Sequence, residues 1–347
     1  MPLFVIATSL PLALVALAAL WGGVWGWLAV GYVTVLVFCL DRLVARQIVN
    51  ADPGAEFPGG ERLLLALGIG HFAVLALALR GVAGAGGLAP VERVLLAVAA
   101  GLVAGQIAHP VAHELIHRAG RGRRRLGRLV YTSILFGHHA SAHLHVHHVH
   151  VATPQDPSSA RPGEGFYRYA ARAWAGAFRA GLAAETRRHR GAPWRHPYVL
   201  YVGGAGALLA AVAVLWGWQG LAAYMAIAGY AQGQILLSDY VQHYGLARAR
   251  HPDGRAEPVS LAHSWNAPQW YSSAMTLNAP RHSDHHVTPQ RPYPALQLVP
   301  ATMPVLPHSL PVCAVVALVP PLWRRMMDAR AARWRETAGA AAGDLAG

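Results

Sequence analysis

Three short stretches put eight imidazoles at helical spacing: His113-Glu114-Leu115-Ile116-His117, His143-Leu144-His145-Val146-His147-His148 and His282-Ser283-Asp284-His285-His286. Residues three and four apart share a helix face. His113 with His117, His143 with His147 (His148 adjacent), and His282 with His285 and His286 can each aim two or three ring nitrogens at one point. Neutral imidazole is a good ligand for iron, zinc, copper and nickel. Eight such ligands exceed the needs of one ion, so the spacing predicts two metals. His113-Glu114-x-x-His117 also matches the zinc-protease signature, with Glu114 as base. That reading leaves two further clusters without a purpose. A metal carrier with no catalysis is a third possibility.

The composition says where these clusters must be held. Of 347 residues, 54% are hydrophobic and 13% charged, which is half the charge of an average soluble domain. The mean hydropathy is +0.30. The chain therefore reads as an all-α integral membrane protein. Six apolar runs are long enough to span: 3–20, 24–40, 63–79, 94–108, 198–216 and 221–237. The first lacks the basic start of a signal peptide and reads as a retained helix. Residues 109–197 and 238–347 form a cap, and the chain reads as a single domain. The apolar run 310–322 is short and broken by Pro311, Pro320 and Pro321, so it reads as interfacial. With the N-terminus inside, an even number of spans before each cluster puts all three clusters on one side. Trp21, Trp25 and Trp27 read as interfacial aromatics, with Trp25 and Trp27 as candidates for a substrate channel.

The charge is +13 and every basic residue is arginine. Between Arg118 and Arg195 stand 14 arginines against Asp156, Glu164 and Glu185. By the positive-inside rule this cap is cytoplasmic, in a bacterial inner membrane, and it would attract anionic lipid or an acidic redox partner. The arginines adjoin spans and carry no nucleic-acid-binding motif, so nucleic acid is not the partner. The two cysteines, Cys39 and Cys313, lie far apart, which excludes a cysteine-held iron–sulfur or rubredoxin centre within the chain. Electrons must come from elsewhere.

The histidine series HxxxH, HxxxHH and HxxHH resembles the membrane fatty-acid desaturase and hydroxylase superfamily. Within it the chain resembles the alkane 1-monooxygenases, the branch that also holds xylene monooxygenase. The more specific matches are 113–118 (HELIHR), 151–161 (VATPQDPSSAR), 239–245 (DYVQHYG), 281–286 (RHSDHH) and the tail 319–328. The resemblance implies a non-haem di-iron centre on nine histidines: His113, His117, His143, His147, His148, His243, His282, His285 and His286. It also implies O2 as cosubstrate, an apolar substrate such as an alkane, hydroxylation of its terminal methyl group, and a rubredoxin-type donor with its reductase. A desaturase or an aryl-methyl hydroxylase would use the same site. His243 enters through the resemblance alone. Glu114, Asp239 and Asp284 read as carboxylates that accept from ligand ring N–H groups and fix their tautomers. His109, His138, His139, His145 and His150 read as neighbours or surface groups. In the second cluster Ala142, Leu144, His145 and Val146 stand where the family has Glu, Asn, Arg and Gly, and Gln242 stands where a glutamate is common.

Overall fold

The computed structural model describes residues 1–44, 47, 49–251 and 253–344. Among the described residues the regular structure is helical, with isolated bridges in place of strands. Five helices are long and apolar enough to cross a membrane: α1 (Pro2–Trp21), α2 (Val24–Leu43), α3 (Pro58–Val82), α4 (Pro90–His117) and α8 (Val199–His243). The cap helices between and after them are α5 (Arg121–Ser133), α6 (138–150) and α7 (Phe166–Arg188). Beyond α8 come α9 (Trp270–Met275), α10 (His282–Val287), α11 (Leu310–Ala317) and α12 (Pro320–Asp344).

α1 and α2 form a hairpin because Gly22 and Gly23 both take positive φ, at 61° and 60°, which side chains disfavour. Glu92 ties this turn to the start of α4, accepting from the Gly23 amide at 2.5 Å and the Ala89 amide at 2.7 Å. α8 runs 45 residues. Straight, it would reach about 68 Å, twice the hydrocarbon thickness. It breaks at Gly217, where φ is 60°. A Cβ on Gly220 would sit 3.2 Å from the carbonyl oxygen of Val212, eight residues back and about 12 Å away in a continuous helix. The two arms therefore fold back on each other, and they carry the fifth and sixth apolar runs of the sequence.

Two π-helical turns lie at the histidine-bearing segments: Ala104–Ala108 just before His109, and His143–His147 within the second cluster. The second is closed by the His148 amide bonding to the His143 carbonyl. That i→i+5 bond widens the turn and re-aims the side chains, as such bulges do at functional sites. α5 packs on the outer end of α4, and Gly127 permits it: a Cβ there would come within 2.8 Å of the Ala112 carbonyl. In the cap, the inner histidine-bearing faces of α4, α6, the second arm of α8 and α10 converge.

Candidate metal centre

The nine histidines sort into two groups, buried except for His148, which is half-buried. One holds His113, His117, His143, His148 and His285; the other holds His147, His243, His282 and His286. Within each group one nitrogen per residue lies within 4.8 Å of all the others. The groups do not follow the sequence clusters. His148 joins His143, five residues back, while His147 turns to the second group, because the π turn brings residues five apart onto one face. α10 likewise sends His285 to the first group and His282 with His286 to the second. The expectation that each cluster serves one point is thus corrected: α6 and α10 each feed both points.

The nitrogen spacing fits metal coordination. In the first group His143 Nε2 stands 3.1 Å from His117 Nε2 and 2.9 Å from His148 Nε2, and His285 Nε2 stands 3.1 Å from His148 Nε2. In the second, His282 Nε2 stands 3.0 Å from His243 Nε2 and 3.2 Å from His286 Nε2. Ligand nitrogens about 2.1 Å from a shared cation, at octahedral to tetrahedral angles, lie roughly 3.0–3.4 Å apart. Nε2 of His113 and of His147 are buried with no hydrogen-bond partner among the described residues, and an unpaired buried nitrogen is costly unless a ligand satisfies it. Burial first, then neighbouring imidazoles, hold His143, His285 and His286 well below their ordinary pKa, and His282 at about 3. Each is the neutral base that a cation requires.

Around the rings the carboxylates are arranged differently from the sequence expectation. Glu114 accepts from Arg118 and, at 3.2 Å, from the Tyr293 amide. Asp284 accepts from Arg291 and, at 2.9 Å, from the Gln297 amide. Asp239 lines a cavity within electrostatic reach of His147. Among the described residues, the carboxylate bonded to a ring of either group is Asp156, whose Oδ2 lies 2.8 Å from His147 Nδ1. Its only sequence signal is its place in the 151–161 segment. That loop exists to aim it: Ser158 N donates to Oδ1 at 3.0 Å and Ser159 Oγ to Oδ2 at 2.7 Å. Ser264 Oγ stands 3.4 Å from His243 Nδ1. Asn266 in turn binds Ser283 on both sides, N–H to Oδ1 at 3.0 Å and Nδ2 to Oγ at 2.7 Å, seating α10. Gln242 donates to the Ala279 carbonyl at 3.1 Å, which a carboxylate there could not do.

The extra histidines stay outside both groups. His109 meets the Tyr131 hydroxyl at 3.0 Å; His139 stacks on Phe136; His138 packs on Trp174 and Phe178; His145 faces Glu185 at 3.6 Å. His150 is half-buried.

A cavity of about 550 Å³ connects this centre to the spans. Its inner wall includes His113 and His143 of one group and His282 of the other. Away from them it is walled by side chains such as Val33, Phe38 and Leu102, and by α11. The short apolar run 310–322 thus supplies one side, through residues 310–318. Trp25 and Trp27 are not on the wall, and Trp27 is exposed. The cavity faces the α2 residues one turn and more beyond them.

Fold and site together define an integral membrane protein with a histidine-built metal centre at the end of an apolar cavity. The family profile for fatty acid desaturase matches residues 91–315, and the chain belongs to that family. Alkane 1-monooxygenase 2 of Pseudomonas aeruginosa is 30% identical over 321 residues, covering 88% of this chain and 83% of that protein. Alkane 1-monooxygenase 2 of Alcanivorax borkumensis is 30% identical over 323 residues, covering 90% and 84%. The xylene/toluene monooxygenase hydroxylase component of Pseudomonas putida is 28% identical over 197 residues, covering 52% and 49%. The chain is a membrane-bound oxygenase with an iron-type histidine site.

Proposed function

We propose that the two histidine groups hold two non-haem iron ions, and that the enzyme uses O2 to hydroxylate the terminal methyl of an alkane to a primary alcohol. The observation that carries this reading is the apolar cavity, which ends on histidines of both groups. Iron held there would supply O2 activation and removal of hydrogen from an unactivated methyl group. The chain's own residues do the rest. An alkane has no polar handle, so Val33, Phe38, Leu102 and α11 must hold it by shape alone. Their closure around it keeps water from the reacting carbon. Asp156 holds the His147 ring so that Nε2 faces its group.

The remaining parts of the reading follow from charge and composition. A chain whose two cysteines are free and belong to neither histidine group needs an external electron donor, of the rubredoxin type with its reductase. The arginines of α5 and α7 would put the cap on the cytoplasmic side of an inner membrane. A zinc-protease role fits poorly: Glu114, which would serve as base, is committed to Arg118 and the Tyr293 amide.

The test is metal content with Mössbauer spectroscopy of iron-57-loaded protein in nanodiscs, followed by turnover of n-octane with a rubredoxin system. Two irons per chain and formation of 1-octanol are the expected results. One zinc after iron-replete growth, or oxidation of p-xylene with no attack on octane, would overturn the reading.

A further inference from the structure

Partway along the cavity two amides meet, Gln106 on α4 and Gln234 on the second arm of α8. Gln234 Nε2 donates to the carbonyls of Gly101, at 2.9 Å, and Tyr230, at 3.3 Å. Its Oε1 must therefore be the atom facing Gln106, and it accepts from Gln106 Nε2 at 3.0 Å. This chain of donors leaves Gln106 with Oε1 and one N–H bonded to nothing among the described residues. Gln106 is on the cavity wall. The backbone makes room for the pair: a Cβ on Gly105 would come within 2.7 Å of Gln234 Nε2, and one on Gly101 within 2.5 Å of the Tyr230 ring.

Ser238, Gln242 and Thr276, which share this wall, each have a donor engaged. Ser238 donates to Gln242 at 2.9 Å, Gln242 to the Ala279 carbonyl at 3.1 Å, and Thr276 to the Ser272 carbonyl at 2.7 Å. Gln106 presents a free acceptor and a free donor side by side, on a helix long and apolar enough to cross a membrane. One acceptor beside one donor is the complement of a hydroxyl. Gln106 precedes His113 by seven residues, about 10 Å along the helix, which an extended chain of roughly eight to ten carbons would cover.

We infer that the Gln106 amide is a binding site for a substrate hydroxyl, so that the enzyme takes medium-chain primary alcohols and hydroxylates their far methyl to give terminal diols. The chemistry rests on the hydroxylase reading above. At the methyl a C–H bond breaks and a C–O bond forms with one atom of O2. The other atom leaves as water, using two electrons from the external reductant and two protons, and the distal hydroxyl is unchanged.

The test compares n-decane, 1-decanol and 1-methoxynonane, whose ether oxygen accepts but cannot donate. Binding of tritiated ligands to the full chain in nanodiscs is measured together with kcat/KM for each. The wild-type protein should bind 1-decanol at least about tenfold more tightly than the ether or the alkane. Gln106→Leu should lose that preference, gaining affinity for n-decane as it loses it for the alcohol. Equal binding of alcohol and ether by the wild type overturns the inference without any variant. A Gln106→Leu preference unchanged from wild type also overturns it, and leaves the amides as a tie between α4 and α8. If n-decane and 1-decanol are both unreactive, the hydroxylase reading fails, while the binding ratio still decides this one.

Discussion

His147 and Asp156, nine residues apart, meet through a 2.8 Å hydrogen bond between Nδ1 and Oδ2, both side chains buried. Burial opposes a charge on His147, but the adjacent Asp156 carboxylate outweighs it and holds the ring above its ordinary pKa. The same bond fixes which nitrogen faces the other histidines. Ring-orienting carboxylates are commonly worth 10–100-fold in metal affinity. Asp156→Asn should therefore lower the affinity of the second group by roughly that factor, with iron per chain falling toward one. Iron analysis after graded chelator dialysis checks this; unchanged retention would remove Asp156 from the site's support.

Glu114 separates two chemistries. In the structure it braces Arg118 and the Tyr293 amide, behind His113 and His117. Glu114→Gln keeps one acceptor oxygen, so alkane turnover should drop by less than about tenfold and iron should stay. A protease using Glu114 as base would instead lose all activity in this variant.

Acid should weaken the metal-free protein. His143, His282, His285 and His286 have folded-state pKa values depressed by burial, to about 3 for His282. Above pH 6.5 these rings are neutral in both states. As the pH falls below that, the unfolded chain takes up protons that the folded site refuses. Stability is thus lost from about pH 6.5 downward, by roughly 1.4 kcal/mol per pH unit for each ring kept neutral. His147, with its raised pKa, works in the opposite sense and offsets part of the loss. Melting of apo protein between pH 8 and 5.5 tests this, and a flat profile would contradict it.

Gly233 lines the cavity, and a Cβ there meets nothing within 4 Å. Gly233→Leu should therefore fold normally and fill part of the cavity. The preferred alkane should shorten by roughly three or four carbons, the size of the added side chain. Competition between hexane, octane and dodecane reads it directly. A longer optimum would show that the chain lies elsewhere.

Asn266 is fully buried and bonds Ser283 twice, together with the Ser264 and Pro304 carbonyls. Asn266→Ala leaves those groups unpaired, at a cost of about 2–4 kcal/mol. It should also loosen His282, His285 and His286 together, so iron loss and lowered melting should appear in the same variant.

The amino-acid sequence by itself determined the class of fold and picked out by spacing eight of the nine histidines that the fold gathers. Apolar runs of spanning length must become helices, because a bilayer offers backbone groups no other partner. Histidines at helical spacing could be read before any neighbour was known, since i and i+4 depend on one helix alone. His243 stands single, so it needed the resemblance to family motifs. Tertiary structure decided how the nine divide, because α6 and α10 each face two points and a π turn reassigns His147 and His148. It decided that Asp156 orients a ring while Glu114 and Asp284 hold arginines. It also placed the cavity wall on α2, α4, α8 and α11, away from Trp25 and Trp27. These depend on distances between segments far apart in the chain, and local spacing carries no record of which loop closes over which ring.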